Sequence, residues 1–142
     1  TSFARRTEAD GATLSCILID IDDFKQVNDR FGHSTGDRVI QAVADALRTV
    51  LRPGDVAGRV GGDEFLILLP GADTEEARLV AARVGAAIRE LEIADEEEPV
   101  PVTVSIGLAD VSGGASSVTE VLRQTEALLK ASKASGKDKV SG

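Results

Sequence analysis

Arg59-Val-Gly-Gly-Asp-Glu-Phe65 sets a cation, two glycines and two carboxylates directly ahead of an apolar run. Phe65–Leu69 reads as a buried strand and Val56–Val60 as the strand before it. Gly61 and Gly62 between them signal a hairpin whose turn uses the positive φ that glycine supplies. That turn holds Asp63 and Glu64 at its mouth, where bare backbone lets a ligand approach closely. A third acid, Asp20, ends the apolar run Leu14–Asp20, which reads as a central strand. If the two strands are neighbours, three carboxylates converge at one end of a sheet. Hard oxygen ligands on rigid strand ends favour Mg²⁺ or Mn²⁺, with water and substrate phosphate in the remaining positions. Such a centre lowers the pKa of an attacking hydroxyl and offsets charge developing on a phosphoryl group. Asp22 and Asp23, by contrast, read as caps of the helix that follows.

The remaining elements must hold these acids. A short helix is expected from about Phe24 to Phe31, broken by Gly32–Gly36. A second begins at Asp37, with Val39, Ile40, Val43, Ala46, Leu47 and Val50 at helical spacing. Arg52-Pro-Gly-Asp55 ends it. Thr74 reads as the N-cap of a long helix whose stripe runs from Ala77 to Leu91. Ala94–Pro101 reads as an acidic surface loop, Val102–Ala109 as a strand and Ser112–Ser117 as a flexible turn. A last helix runs from Val118 to near Gly136, and a short edge strand forms around Val140. The order β-α-α-β-β-α-β-α-β implies one α+β domain over residues 1–142, with a mixed, mostly antiparallel central sheet flanked by helices.

Composition narrows the function classes. The 142 residues carry a net charge of -8, with no Trp or Tyr and four Phe. Base-stacking platforms and a basic face are both lacking, so DNA is not an expected partner. A nucleotide remains compatible, because metal ions and a few placed cations neutralise phosphates locally. No apolar run approaches the roughly 20 residues that cross a bilayer, so direct membrane insertion is not expected. The single Cys16 excludes a disulfide framework and points to a reducing, cytoplasmic setting; it reads as core packing. His33, the only histidine, reads as a turn residue and not as a base.

Taken together, Asp20-Ile-Asp-Asp-Phe-Lys-Gln-Val-Asn28-Asp-Arg-Phe-Gly-His33-Ser-Thr-Gly-Asp37, Arg59-Val-Gly-Gly-Asp-Glu-Phe65 and Val102-Thr-Val-Ser-Ile-Gly-Leu108 resemble the GGDEF-domain family of diguanylate cyclases. The resemblance implies a palm-like fold shared with class III nucleotide cyclases. It implies condensation of two GTP into cyclic di-GMP and two pyrophosphates by a homodimer, with two Mg²⁺ or Mn²⁺ per active site. Asp20, Asp63, Glu64 and the carbonyl of Ile21 then match metal ligands, and Asp63 and Glu64 the catalytic acids, Glu64 assisting loss of the 3′-hydroxyl proton. Asn28 and Asp37 match a guanine-reading pair; an Asp accepts from guanine N1–H and its exocyclic amine, a donor face that adenine lacks. Phe24 and Lys25 match a phosphate-holding turn at a helix start. Gly61 and Gly62 border the substrate, and Lys133 and Lys137 match cations near the terminal phosphates.

Five positions depart from the family pattern: Lys137 stands for Arg, Asp138 for Asn, Leu129 for Tyr, and Thr125-Glu126 for Ala-Asp. Lysine offers a point charge in place of a bidentate fork. Asp138 adds a negative charge near the phosphates. Arg52-Pro-Gly-Asp55 alone reads as a helix terminator; its offset from Gly61 matches the RxxD site that binds product as an inhibitor, with Arg83 as a second cation. The family's Asp-x-Leu-Thr-Gly-Leu-x-Asn-Arg segment does not precede Leu14, so the chain is expected to be a piece of a longer protein that follows a sensor or dimerising domain. The alternative reading is a non-catalytic receptor for GTP or cyclic di-GMP; another is a palm-like enzyme acting on a different nucleotide.

Overall fold

The chain is described by a computed structural model covering residues 13–111 and 118–141. Its central sheet has five strands: β1 (Leu14–Ile21), β2 (Val56–Arg59), β3 (Glu64–Pro70), β6 (Val104–Val111) and β7 (Val140–Ser141). Their order is β2-β3-β1-β6-β7, antiparallel except for the parallel β6–β7 pair. Four helices flank it: α1 (Phe24–Phe31), α2 (His33–Val50), α3 (Thr74–Arg89) and α4 (Val118–Ala134). The α+β class expected from the element order is what the fold shows.

β1 lies at the centre and is buried along its whole length. Alternation of side chains across a strand divides the core between the two faces. Ile17, Ile19 and Ile21 join Phe65, Ile67, Leu69, Ile106 and Leu108 under α1, α2 and α3. Leu14, Cys16 and Ala109 face α4 through Val121, with Leu66, Leu68, Leu122 and Leu128 partly buried around them. Phe65–Leu69 is therefore not buried on both sides, as its unbroken apolar run implied. β2 is an exposed edge. Burial pushes the Cys16 thiol up to about 11, so it is an inert core residue.

Several local expectations need correction. Gly32 alone separates the first two helices, and α2 starts at His33, four residues earlier than the apolar stripe implied. Helix α3 is capped by Asp73, whose side chain accepts from the Glu76 N–H at 2.9 Å. Thr74 is instead the first helical residue, and its amide and hydroxyl donate to Asp110 on β6 at 2.9 and 2.7 Å. The acidic loop contains a small hairpin, β4 (Ala94–Asp95) and β5 (Glu98–Pro99), tied to α2 by Arg38 donating to the Ala94 carbonyl at 2.7 Å. The turn expected at Ser112–Ser117 lies outside the described residues.

Gly107 decides how close α4 comes to the sheet. A Cβ there would sit 2.3 Å from the Thr125 carbonyl oxygen and 2.4 Å from the Leu129 nitrogen, both backbone atoms of α4. The bare Cα lets the helix lie on β6 and carry its C-terminal lysines to the strand ends. Gly107→Ala is expected to cost about 3 kcal/mol, as overpacking against unyielding backbone does. Urea denaturation checks it; a loss below about 0.5 kcal/mol would show that α4 can shift freely.

Candidate metal and nucleotide site

The β1–β3 ladder sets Asp20 opposite Glu64. The ladder continues into the turn, where the Ile21 amide donates to the Asp63 carbonyl at 3.0 Å. Asp20, Asp63 and Glu64 each present a carboxylate oxygen within 4.8 Å of the others. The convergence expected from the motifs is thus present. Asp20 projects to the α4 side, lining a cavity of about 320 Å³ with Glu64, Leu129, Lys130 and Lys133.

Asp20 is a buried acid with one oxygen paired and the other not. Lys133 Nζ lies 2.9 Å from its Oδ2. Its Oδ1 is buried and has no hydrogen-bond partner among the described residues. An orphaned buried carboxylate oxygen beside two more acids is the donor set that a hard divalent cation satisfies. Burial first, then the neighbouring Asp63 charge, pushes the Asp20 carboxyl up to about 6, against the lowering hydrogen bond from Lys133.

The glycine turn is built differently from the expected two-residue turn. Neither Gly61 nor Gly62 has a positive φ. The Val60 amide donates to the Glu64 carbonyl at 2.9 Å, leaving 61–63 as the loop. Arg59 reaches over it: Nε donates to Gly61 O at 3.1 Å and Nη2 to Gly62 O at 2.7 Å. A Cβ on Gly62 would meet nothing within 4 Å. Neither backbone conformation nor internal crowding demands glycine there.

Asn28, one of the expected guanine-reading pair, packs against Gly36, the residue before Asp37. A Cβ at Gly36 would stand 1.8 Å from Asn28 Oδ1, so the Asn28 amide rests against the bare Cα next to Asp37. Asn28 is half-buried and Asp37 exposed. Phe24 packs on the main core, while Lys25 is exposed at the start of α1. The capping reading of Asp22 and Asp23 fails. Asp23 occupies the N-cap position at φ 56° but makes no capping hydrogen bond, and its carboxylate pairs with Lys137. Asp22 is buried, and accepts from Ser105 Oγ at 2.6 Å, Thr103 Oγ1 at 2.7 Å and the Asp138 amide at 2.9 Å. The extra charge of Asp138 is met by Arg89 Nη1 at 3.0 Å. Period-two spacing, which puts residues 20 and 22 on one face of a strand, was the available signal for Asp22; nothing local flagged Arg89 or Thr103.

Arg52 and Arg83 line one concavity with Val50, Glu76, Leu79 and Val80. The nearly buried Asp55 carboxylate accepts from the Arg52 amide at 2.9 Å.

The raised Asp20 pKa makes a signed prediction. A carboxyl that titrates near 6 in the fold and at the model-peptide 3.8 when unfolded binds its proton more tightly when folded. It therefore costs stability progressively as pH rises from about 4 to about 6. Asp20→Asn removes that cost. Without divalent ions the variant is expected to gain about 1–3 kcal/mol over the native chain at pH 7.5, and much less at pH 4.5. Urea denaturation with chelator at both pH values measures it. An equal difference at the two would contradict the burial of this charge.

The comparisons with known proteins agree with this geometry. The family model "Diguanylate cyclase, GGDEF domain" matches residues 1–139. Diguanylate cyclase A of Treponema denticola is 34% identical over 129 residues, covering 91% of this chain and 35% of that protein. Diguanylate cyclase DgcP of Pseudomonas aeruginosa is 37% identical, covering 95% of this chain and 20% of that protein. The chain thus spans about a third or less of these curated relatives. Among solved structures, the GGDEF domain of DgcB from Caulobacter crescentus in complex with c-di-GMP superposes with a TM-score of 0.90 at 31% identity, over 96% of this chain and 81% of that one. Diguanylate cyclase SiaD of Pseudomonas aeruginosa, in complex with its activator SiaC, gives 0.90 at 36% identity, over 96% of this chain and 52% of that one. The chain belongs to the GGDEF-domain family of diguanylate cyclases.

Proposed function

We propose that this domain condenses two GTP molecules into cyclic di-GMP with release of two pyrophosphates. The observation that carries the reading is the triad of Asp20, Asp63 and Glu64, whose carboxylate oxygens lie within 4.8 Å of one another, with Asp20 Oδ1 buried and unpartnered among the described residues. Asp20, Asp63, Glu64 and the Ile21 carbonyl hold two Mg²⁺ or Mn²⁺. A divalent ion there lowers the pKa of the attacking 3′-hydroxyl and offsets charge on the α-phosphate. Glu64 accepts the hydroxyl proton. Phe24 and Lys25 at the start of α1 supply the phosphate turn, and Lys133 and Lys137 neutralise the terminal phosphates. Gly61 and Gly62 let the substrate lie against backbone. One protomer presents one GTP, so two protomers meet face to face and each 3′-hydroxyl attacks the other nucleotide's α-phosphate.

Guanine is read by Asn28 and Asp37. The packing of the Asn28 amide on Gly36, next in the chain to Asp37, supports this, because an Asn and an Asp together supply the donor and acceptors that match the guanine edge. Product acts back through Arg52, Asp55 and Arg83. Arg52 and Arg83 share one concavity, which suits a dianionic ligand. A sensor or dimerising domain elsewhere in the protein sets how often two protomers meet. Among the described residues no helix is long and apolar enough to cross a membrane.

Incubation with GTP and Mg²⁺ at high protein concentration, followed by nucleotide separation, tests the activity; GTP binding without cyclic di-GMP would reduce the domain to a receptor. Gly36→Ala displaces the Asn28 amide, and is expected to cut the preference for GTP over ATP at least tenfold with Mn²⁺ affinity unchanged. Arg52→Ala is expected to keep turnover and lose inhibition by cyclic di-GMP; unchanged product inhibition would remove the RxxD assignment.

A further inference from the structure

Asp22 has no part in the roles assigned so far, yet it is one of the most heavily bonded side chains near the site. It is 6% exposed. A buried carboxylate is tolerated only when donors surround it. Two of its donors, Ser105 Oγ on β6 and Thr103 Oγ1 just before it, flank the start of that strand. The third is the backbone amide of Asp138, more than a hundred residues away. That amide belongs to a strained turn: Gly136, Lys137 and Asp138 all have positive φ, at 115°, 62° and 47°. Two successive non-glycine residues in the left-handed region persist only where surrounding bonds over-determine them. The bonds here are Lys137 N–H to Ser132 O at 3.0 Å, Asp138 N–H to Asp22, and the Arg89–Asp138 ion pair. The outcome of the strain is specific. Lys137 is turned toward the start of α1, where its ammonium pairs with Asp23.

We propose that Asp22 is a positioning residue that latches the 136–138 turn onto the β1–α1 junction and so sets where Lys137 meets the substrate phosphates. Arg89 is the second tie on that turn, and Asp138, a departure from the family pattern, is the residue it grips. The proposal rests on the reading of the α1 start as the phosphate site. It separates two acids at the end of β1, one inside the strand and one just past it. Asp20 faces the cation, whereas Asp22 works at a distance through a lysine.

The test uses 3′-deoxy-GTP with Mg²⁺, which can bind but cannot condense, and calorimetric affinities for Asp22→Ala, Lys137→Ala and the double variant. Each single variant is expected to bind about tenfold more weakly, and the double variant no more weakly than either, since both remove the same contact. Asp22→Asn is expected to stay within about threefold of the native chain. Its amide oxygen still accepts from Asp138 and Thr103, and the Ser105 hydroxyl turns to accept. Affinity for Mn²⁺ alone is expected to be unchanged throughout. Additive losses in the double variant, or Mn²⁺ affinity falling in step, would overturn the latch. If Asp22→Ala does not fold, Arg89→Ala releases the same turn from the surface; two- to threefold weaker binding that vanishes in the Lys137→Ala background supports the proposal, and unchanged binding sinks it. A native chain that binds the analogue but forms no cyclic di-GMP from GTP would refute the catalytic reading while the affinity pattern still judges Asp22.

Discussion

The pairing of β1 with β3 in one register is the constraint on which the site depends. Asp20 stands opposite Glu64, and the ladder runs one bond further to hold Asp63. A slip of one residue would send Asp20 to the other face, among the isoleucines under α2. The register is secured by those same isoleucines, Ile17, Ile19 and Ile21, which are almost fully buried. The hydrophobic pattern of the strand therefore also decides where its terminal acid points. Like charges gathered in this way repel, and the fold carries that cost at this end of the sheet, where Lys133 offsets part of it.

The second support is the approach of α4. Its close packing depends on the missing side chain of Gly107, and it brings Lys133 to Asp20 from the far side of the sheet. Beyond the helix the chain turns back through 136–138 and adds β7 beside β6. The last twenty or so residues thus close the site, although few of them carry an acid or a recognisable motif. Rigid strands supply the acids; a helix and a bonded turn supply the cations.

Much of this was legible in the sequence, for identifiable reasons. Leu14–Asp20 and Phe65–Leu69 are short, rich in β-formers and bounded by turn residues, so both strands could be read. Helix interiors were equally plain from their apolar spacing, but their starts were not. His33–Gly36 carries no apolar stripe and a glycine, yet it forms the first turn of α2, with Gly36 packed against Asn28. Gly61-Gly62 looked like a conformational requirement and is instead an open face. Asp22 looked like a cap because capping is a local habit of aspartate, while its real partners lie around the start of β6 and at the C-terminal turn. Long-range hydrogen bonds leave no periodic trace. The same holds for Arg89 and Asp138, whose charges cancel only in three dimensions.

Diffraction from crystals grown with Mn²⁺ and 3′-deoxy-GTP, recorded at the manganese edge, addresses the central claim most directly. The expected result is anomalous density bounded by Asp20, Asp63 and Glu64, with Lys133 withdrawn from Asp20 toward the phosphates. Nucleotide bound with Lys133 still on Asp20 and no manganese between the three acids would contradict it.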